Sequence, residues 1–246
     1  MNAISQDDEA SWPPKKVAFQ VRSIDLRVLE GEHPYHLREQ EAARRNWQQE
    51  LQTTPALYDG EMVLQHRLSL RDGHVRGEAY LVPFSTFLWW RKSRLPNTAF
   101  HLFAFALVVS SDGAIVAIRM GKHTANAGRV YCAAGSLDAH DIVDGRCDIA
   151  GNMRREVLEE TGLDLEEATA EPNYFGLHMR RAITLMRVFR FDLSADELIE
   201  RIHAHMLVDE EKEIDGAVAI WSADPDAHPY IPEMQLVIDW YFNRRA

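Results

Sequence analysis

The nine residues Arg155 to Leu163, REVLEETGL, put one guanidinium and three carboxylates on what reads as a single helix. Arg155 and Glu159 are four residues apart, Glu156 and Glu159 three, and Glu156 and Glu160 four, so these side chains are surface neighbours on a helix. Three acids crowded near the negative end of a helix dipole repel one another, and the arrangement costs stability unless cations occupy it. Hard ions such as Mg²⁺ or Mn²⁺ prefer carboxylate oxygens and keep water or phosphate as their other ligands, so they supply that compensation. Arg155 is then placed to pair with Glu159 and hold its orientation. The same residues also suit an ordinary solvated face closed by a glycine, and spacing alone leaves both readings open.

The helix that carries these acids needs a start, a buried stripe and a stop. Asp148 is a good N-cap, Ile149, Met153 and Val157 recur at i, i+4 and i+8, and Gly162 is a good residue to end on. Before it, the segment from Phe100 to Gly121 reads as an apolar hairpin around an Asp112-Gly113 turn. After it come a strand (ITLMRVFRFDL), a helix capped near Ser194, a strand (GAVAIWS) and a closing helix (PEMQLVIDWYFNRR). Nearer the N-terminus, VAFQVRSIDLRVL reads as a strand and LREQEAARRNWQQEL as a helix with Trp47 and Leu51 on one face. MVLQHRLSL and HVRGEAYLV read as two strands around Asp72-Gly73, and PFSTFLWWRKSRLPNT as a helical or irregular connector. The texture changes near residue 98. The expectation is an α/β protein with a flexible tail over residues 1–14, an α+β extension over 15–98 and a second domain over 99–246.

Composition narrows the setting. The 38 acidic residues against 27 basic ones give a net charge of −11, which disfavours nucleic acid and anionic membrane surfaces as partners. Two cysteines, Cys132 and Cys147, make neither a disulfide framework nor a cysteine-rich zinc module. The first residues carry acids where a signal peptide has basic ones, and no apolar run reaches membrane-spanning length, so a soluble, cytoplasmic protein is expected.

Arg155, Glu156, Val157, Glu159, Glu160, Gly162 and Leu163 match the C-terminal half of the Nudix box, and the chain resembles the Nudix hydrolases over roughly residues 100 to 225. The N-terminal half of that box departs from the pattern. Counted back without a gap, its glycine and two acidic places fall on Asp141, Asp144 and Cys147; with a six-residue insertion, AAGSLD supplies the glycine as Gly135, with Leu137 and Asp138 after it. The second alignment is preferred, because a glycine after a strand lets the backbone turn and leaves a carbonyl facing a metal. Either way the early glutamate is missing at Cys147; Asp138, Asp141, Asp144 and Asp148 are the acids open to compensate, while solvating a loop suits most of them better.

The resemblance implies an α/β/α sandwich with a mixed sheet and Mg²⁺- or Mn²⁺-dependent hydrolysis of a nucleoside diphosphate derivative. It implies Glu156, Glu159, Glu160 and Gly135 at the metal, and Arg155, Glu156 and Glu159 in catalysis. The base would be Glu156 or an acid from the loop DEEKEID, with Glu211 placed first and Glu210 and Glu213 beside it, and that loop suits a solvated charge run equally well. Arg119, Lys122, Arg180 and Arg181 are the candidates for phosphate contacts, some of them better suited to plain surface charge; Tyr131 and the tryptophans are open to stacking on a base or ring, although Trp47, Trp221 and Trp240 suit core packing, and His178, His203 and His205 suit packing or the surface. Trp47, PALYDG and Leu68 are similar to the N-terminal region of Nudix hydrolases acting on UDP-glucose and UDP-galactose, which puts a nucleotide sugar ahead of ADP-ribose, dinucleotide coenzymes or thiamine diphosphate. A non-catalytic ligand-sensing module and a homodimer are both compatible with the resemblance.

Overall fold

The computed structural model describes residues 12–93 and 99–244. Strands β1 (Phe19–Val21) and β2 (Ser23–Val28) lead into helix α1 (Pro34–Thr53), the hairpin β3 (Glu61–Arg71) and β4 (His74–Pro83), and helix α2 (Phe84–Ser93). Then follow β5 (His101–Val109), β6 (Ile115–Met120), β7 (Val130–Tyr131), the short hairpin β8 (Ile142–Val143) and β9 (Arg146–Cys147), and helix α3 (Ile149–Thr161). The chain closes with β10 (Thr169–Ala170), β11 (Tyr174–Met179), β12 (Ala182–Arg190), α4 (Ala195–Met206), β13 (Ile214–Ile220) and α5 (Pro232–Asn243). Of the expected tail, residues 1–11 lie outside the described residues, as do residues 94–98 of the connector; Trp12 is buried against Phe100 and His178.

The strands form two mixed sheets. The larger has the order β1-β11-β12-β5-β6-β13, with β10 on β12 and β7 on β6, and its one parallel pair is β5 with β12. The smaller has the order β3-β4-β2-β9-β8, with β2 parallel to β4. What reads in sequence as one strand from Val17 is therefore two: it changes sheets at Arg22, whose N–H donates to Gly73 O at 2.7 Å. Asp72 and Gly73 both have positive φ (53° and 78°), the turn that matches the twist of a two-residue hairpin. A side chain at Gly73 would press on Gln20 O at 2.8 Å, so the turn needs glycine for space as well as for φ.

A bulge in β3 between Gln65 and Arg67 lets that strand serve two cores. Met62 and Leu64 face the cluster of α1 and α2 with Tyr35, Phe87 and Trp90; past the extra residue, Leu68 and Leu70 face the main core with Val63. Alternation with period two would have kept Leu64 and Leu68 together, and the bulge reverses the faces. Trp221, expected in the core, is 57% exposed: it follows Ile220, which points inward, so alternation turns the next side chain to solvent. Trp47 and Trp240 do pack, the first on Phe84 and the second on Phe175.

Helix α1 is capped by His33, whose Nδ1 accepts from Tyr35 N at 2.9 Å. Burial pushes this imidazole down to about 4 from 6.5. The neutral form is the folded form, so its contribution is complete above pH 6.5 and is lost as pH falls through about 4, at most about 3 kcal/mol. His33→Asn keeps a capping acceptor that does not titrate in this range. Its urea midpoint is expected to fall less between pH 7 and pH 4.5 than that of the wild-type protein; equal slopes would show that His33 does not carry the effect.

Candidate active site

Helix α3 is set by local chemistry at both ends. Asp148 accepts from Gly151 N at 2.9 Å, and Gly162 closes the helix at φ 70° with its N–H on Leu158 O. Ile149, Met153 and Val157 are at most 4% exposed and anchor the helix in the core. That anchoring carries Glu156 and Glu160 inward as well, to 7% and 5% exposure, while Glu159 stays at the surface. Both buried acids meet the loop after β7: Ala134 N donates to Glu160 Oε2 at 2.9 Å, and Gly135 sits against the Glu156 carboxylate so closely that no Cβ fits between them. This loop is pinned from both sheets, by a β-bridge between Ser136 and Phe103 and by Val63 N donating to Leu137 O at 2.7 Å.

Arg155 gathers the acids. Its guanidinium lies 2.9 Å from Asp141 Oδ2, 2.8 Å from Glu156 Oε1 and 2.9 Å from Glu159 Oε2, with Asp138 at 3.6 Å. Asp141 closes a capping box in the 3-10 turn Ala139–Asp141 by accepting from Asp138 N at 3.0 Å, and it also accepts from Asn152 Nδ2 at 3.0 Å. Its side chain is 2% exposed. Residues 142–147 form the β8–β9 hairpin, which joins the smaller sheet through Arg146 and Arg27. Asp144 stands exposed at its tip, and burial pushes the Cys147 thiol up to about 12. Asp141→Asn would leave Arg155 short of its most buried partner; we expect a loss of about 2 kcal/mol in a urea titration, with unchanged stability as the contrary result.

Gly135, Asp138, Arg155, Glu156, Glu159, Glu160 and Glu211 line one cleft of about 270 Å³ together with Ser136, Asp209 and Glu213. Seven carboxylates therefore face a single arginine. Burial pushes the Glu156 carboxyl up to about 8, against the pull of Arg155 and with Glu159, Asp141 and Glu213 adding to the rise. Burial, followed by Glu156 and Glu213, holds Glu160 well above the ordinary carboxylate range although the Ala134 N–H works against it. For Arg155 burial opposes the charge, but Glu156, Asp141 and Asp138 outweigh it and raise its pKa. No three His, Cys, Asp or Glu side chains among the described residues are arranged to hold a metal ion as they stand, because Arg155 draws Glu156 and Glu159 to itself. The donor set still fits a hard cation: it is all oxygen, two of its acids are buried without enough positive charge, and a glycine lets the backbone approach.

The remaining candidates separate. Arg119 pairs with Asp215 and lines neither this cleft nor its neighbour, and Arg181 donates to Ala99 O at 3.2 Å and lies over the Phe100 ring. Arg180 lines a second chamber of about 360 Å³ that shares Gly135 and Ser136 with the acid cleft. Of the ring side chains that line it, Tyr131 and Trp90 stand out in the sequence, whereas His101, Phe103 and Phe105, which alternate along β5, do not. His178 donates to or accepts from nothing in the cleft; its Nε2 meets Pro13 O at 2.7 Å. His205 is 2.8 Å from Glu159 O, at the C-terminal turn of α3.

The chain is thus an α/β protein with two mixed sheets, whose acid cleft is built from one helix, one glycine turn and one acidic loop. The solved structures it resembles include Nudix and MutT proteins. The MutT protein of Methanosarcina mazei Go1 is 14% identical, over 59% of this chain and 95% of its own, with a TM-score of 0.37. The NUDIX domain of Shewanella oneidensis NrtR, complexed with ADP ribose, is 11% identical over 64% and 97%, with a TM-score of 0.40. A bifunctional NMN adenylyltransferase/ADP ribose pyrophosphatase from Francisella tularensis, complexed with AMP and a Mn ion, is 16% identical over 65% and 45%, with a TM-score of 0.41. No protein-family model matches the sequence, nor does any curated protein.

Proposed function

We propose that this chain is a Nudix-type hydrolase that cleaves the diphosphate linkage of a nucleoside diphosphate derivative with the help of a divalent cation. The observation that carries this reading is the convergence of two buried carboxylates, Glu156 and Glu160, on the glycine turn at Gly135, in a cleft with seven acids and one arginine. Mg²⁺ or Mn²⁺ held by Glu156, Glu159, Glu160 and the Gly135 carbonyl would neutralise charge developing on the phosphoryl oxygens. Arg155 holds Glu156 and Glu159 in place, and Asp141 holds Arg155. Glu211, across the cleft on the loop before β13, takes the proton of the attacking water as the new P–O bond forms and the bridging P–O bond breaks.

Nucleotide sugars such as UDP-glucose are the substrates we place first, on the strength of Trp47, PALYDG and Leu68 in the N-terminal extension. The test is phosphate release, with and without a coupling phosphatase, from UDP-sugars, ADP-ribose, NAD, NADH, thiamine diphosphate and nucleoside triphosphates in Mg²⁺ or Mn²⁺. Cation-dependent turnover of a UDP-sugar is the expected result. Tight binding of a panel member with no turnover of any would make the protein a ligand-sensing module instead.

A further inference from the structure

We propose that Arg119 is a positioning residue for the hydrolysis: by clamping a bulge in β13 through Asp215, it fixes the register in which the acidic loop before that strand presents Glu211 to the acid cleft. The inference rests on the hydrolase reading for what Glu211 does there, while the clamp itself stands on the geometry of β6 and β13.

The register comes first. β13 runs antiparallel to β6, with Ala217 opposite Ile118 and Gly216 opposite Arg119, so the same register would place Asp215 opposite Met120. Ile214 stands there instead, and Asp215 is an extra residue between the two pairs. One added residue shifts everything before it by one place along β6 and changes the face on which the residues entering the strand arrive. The core gives the shift a reason: Ile214 and Met120 are each 5% exposed, whereas Asp215 is left in solvent. The shift also decides how residues 209–213 enter the strand. Gly121 N donates to Glu213 O at 2.7 Å, and a Cβ on Gly121 would come within 3.0 Å of that carbonyl and 3.1 Å of Lys212 O, so the loop is seated closely on the end of β6.

Arg119 grips the extra residue twice. Its Nε donates to Asp215 Oδ1 and its Nη2 to Asp215 O at 3.3 Å, so one guanidinium holds both the side chain and the backbone of the bulged residue. Gly216 makes room for it, since a Cβ there would stand 3.0 Å from Nη2. Farther back the loop closes on itself, with Asp209 accepting from Glu211 N at 3.0 Å and from Lys212 N at 2.9 Å. A turn closed in this way moves as a unit, and its aim is set where it joins β13. Glu211 and Glu213 line the cleft from this turn, and Glu213 stands near enough to add to the rise in pKa that burial causes at Glu156 and Glu160. The side chains of Arg119 and Asp215 are 45% and 39% exposed, and an exposed ion pair adds little to stability. Its loss should be felt in the aim of the loop, where bulges beside sites act, more than in the fold.

The test compares wild type with Arg119→Ala, Arg119→Lys, Asp215→Ala, Glu211→Gln and the double variant Arg119→Ala, Glu211→Gln. Three quantities are read: exchange of the Gly121 amide by NMR, Mn²⁺ affinity, and kcat and KM for UDP-glucose or, failing that, for the panel member turned over fastest. Arg119→Ala and Asp215→Ala should each speed Gly121 exchange about tenfold, with Tm within about 2 °C of wild type. In both, kcat should fall about tenfold. KM and Mn²⁺ affinity should stay within about twofold, because the acids of α3 are not disturbed. Arg119→Lys keeps a charge on Asp215 and should recover part of the loss in kcat. On top of Glu211→Gln, Arg119→Ala should cost no more than about twofold, since the group that it aims is already gone. Unchanged Gly121 exchange would overturn the clamp, and an unchanged kcat or full additivity in the double variant would overturn its positioning role. If no member of the substrate panel is turned over while Gly121 exchange quickens in Arg119→Ala, the hydrolase reading falls and the clamp on the bulge stands.

Discussion

Glu160→Gln is expected to remove cation-dependent hydrolysis, by on the order of 10³-fold or more, while the protein stays folded. The two halves of that expectation come from one geometry. Glutamine keeps an oxygen to accept from Ala134 N, so the glycine loop stays anchored to α3. It removes a carboxyl that is 5% exposed and whose ionisation burial, Glu156 and Glu213 oppose, and with it a hard-cation ligand. In protein stripped of cations, the variant should therefore unfold at a higher temperature than the wild type, since the repulsion among the buried acids is relieved. Adding Mn²⁺ should raise the wild-type midpoint and leave that of the variant nearly unmoved. Turnover by Glu160→Gln within a few-fold of wild type would remove this residue from the chemistry.

Gly135→Ala should lose activity without a comparable loss of stability. A Cβ at this position would overlap the Glu156 carboxylate, which is the far end of a flexible side chain, so the fold can relieve the clash by swinging that group aside. Swinging it aside breaks its pairing with Arg155 at 2.8 Å and takes it off the cleft. A displacement near 1 Å is enough to cost about 10²-fold in rate. The expected pair of results is thus a rate about 10²-fold lower and a thermal midpoint within about 2 °C of wild type. A variant that keeps full activity would mean that Glu156 need not stand where it does.

How much of this was legible beforehand depended on how local the physics was. Asp148, Gly162 and the apolar stripe of α3 are written within one helix, and the structure has that helix where they put it. The Asp72-Gly73 and Asp112-Gly113 turns likewise declare themselves through glycine's freedom at positive φ. What a neighbouring element decides was not readable. The β3 bulge that splits Leu64 from Leu68 between two cores and the passage from one sheet to the other at Arg22 follow from pairing with other strands, and the exposure of Trp221 from its place one residue past the inward-facing Ile220. The same holds within the site. Asp141 was one acid among four in a loop until the β8–β9 hairpin folded residues 142–147 out of the way and brought it under Arg155. The ring chamber is assembled from α2, β5, β7 and a β-turn, so no single stretch of sequence contains it.

The most direct test of the central claim, that the buried acids of α3 hold the cation on which the chemistry depends, is Mn²⁺ binding followed by electron paramagnetic resonance. Wild type, Glu156→Gln, Glu160→Gln and a surface control, Glu200→Gln on α4, would be compared. Saturable Mn²⁺ binding by the wild type and the control, weakened at least tenfold in both site variants, is the expected result. Binding that is absent from the wild type, or unchanged in Glu156→Gln and Glu160→Gln, would contradict it.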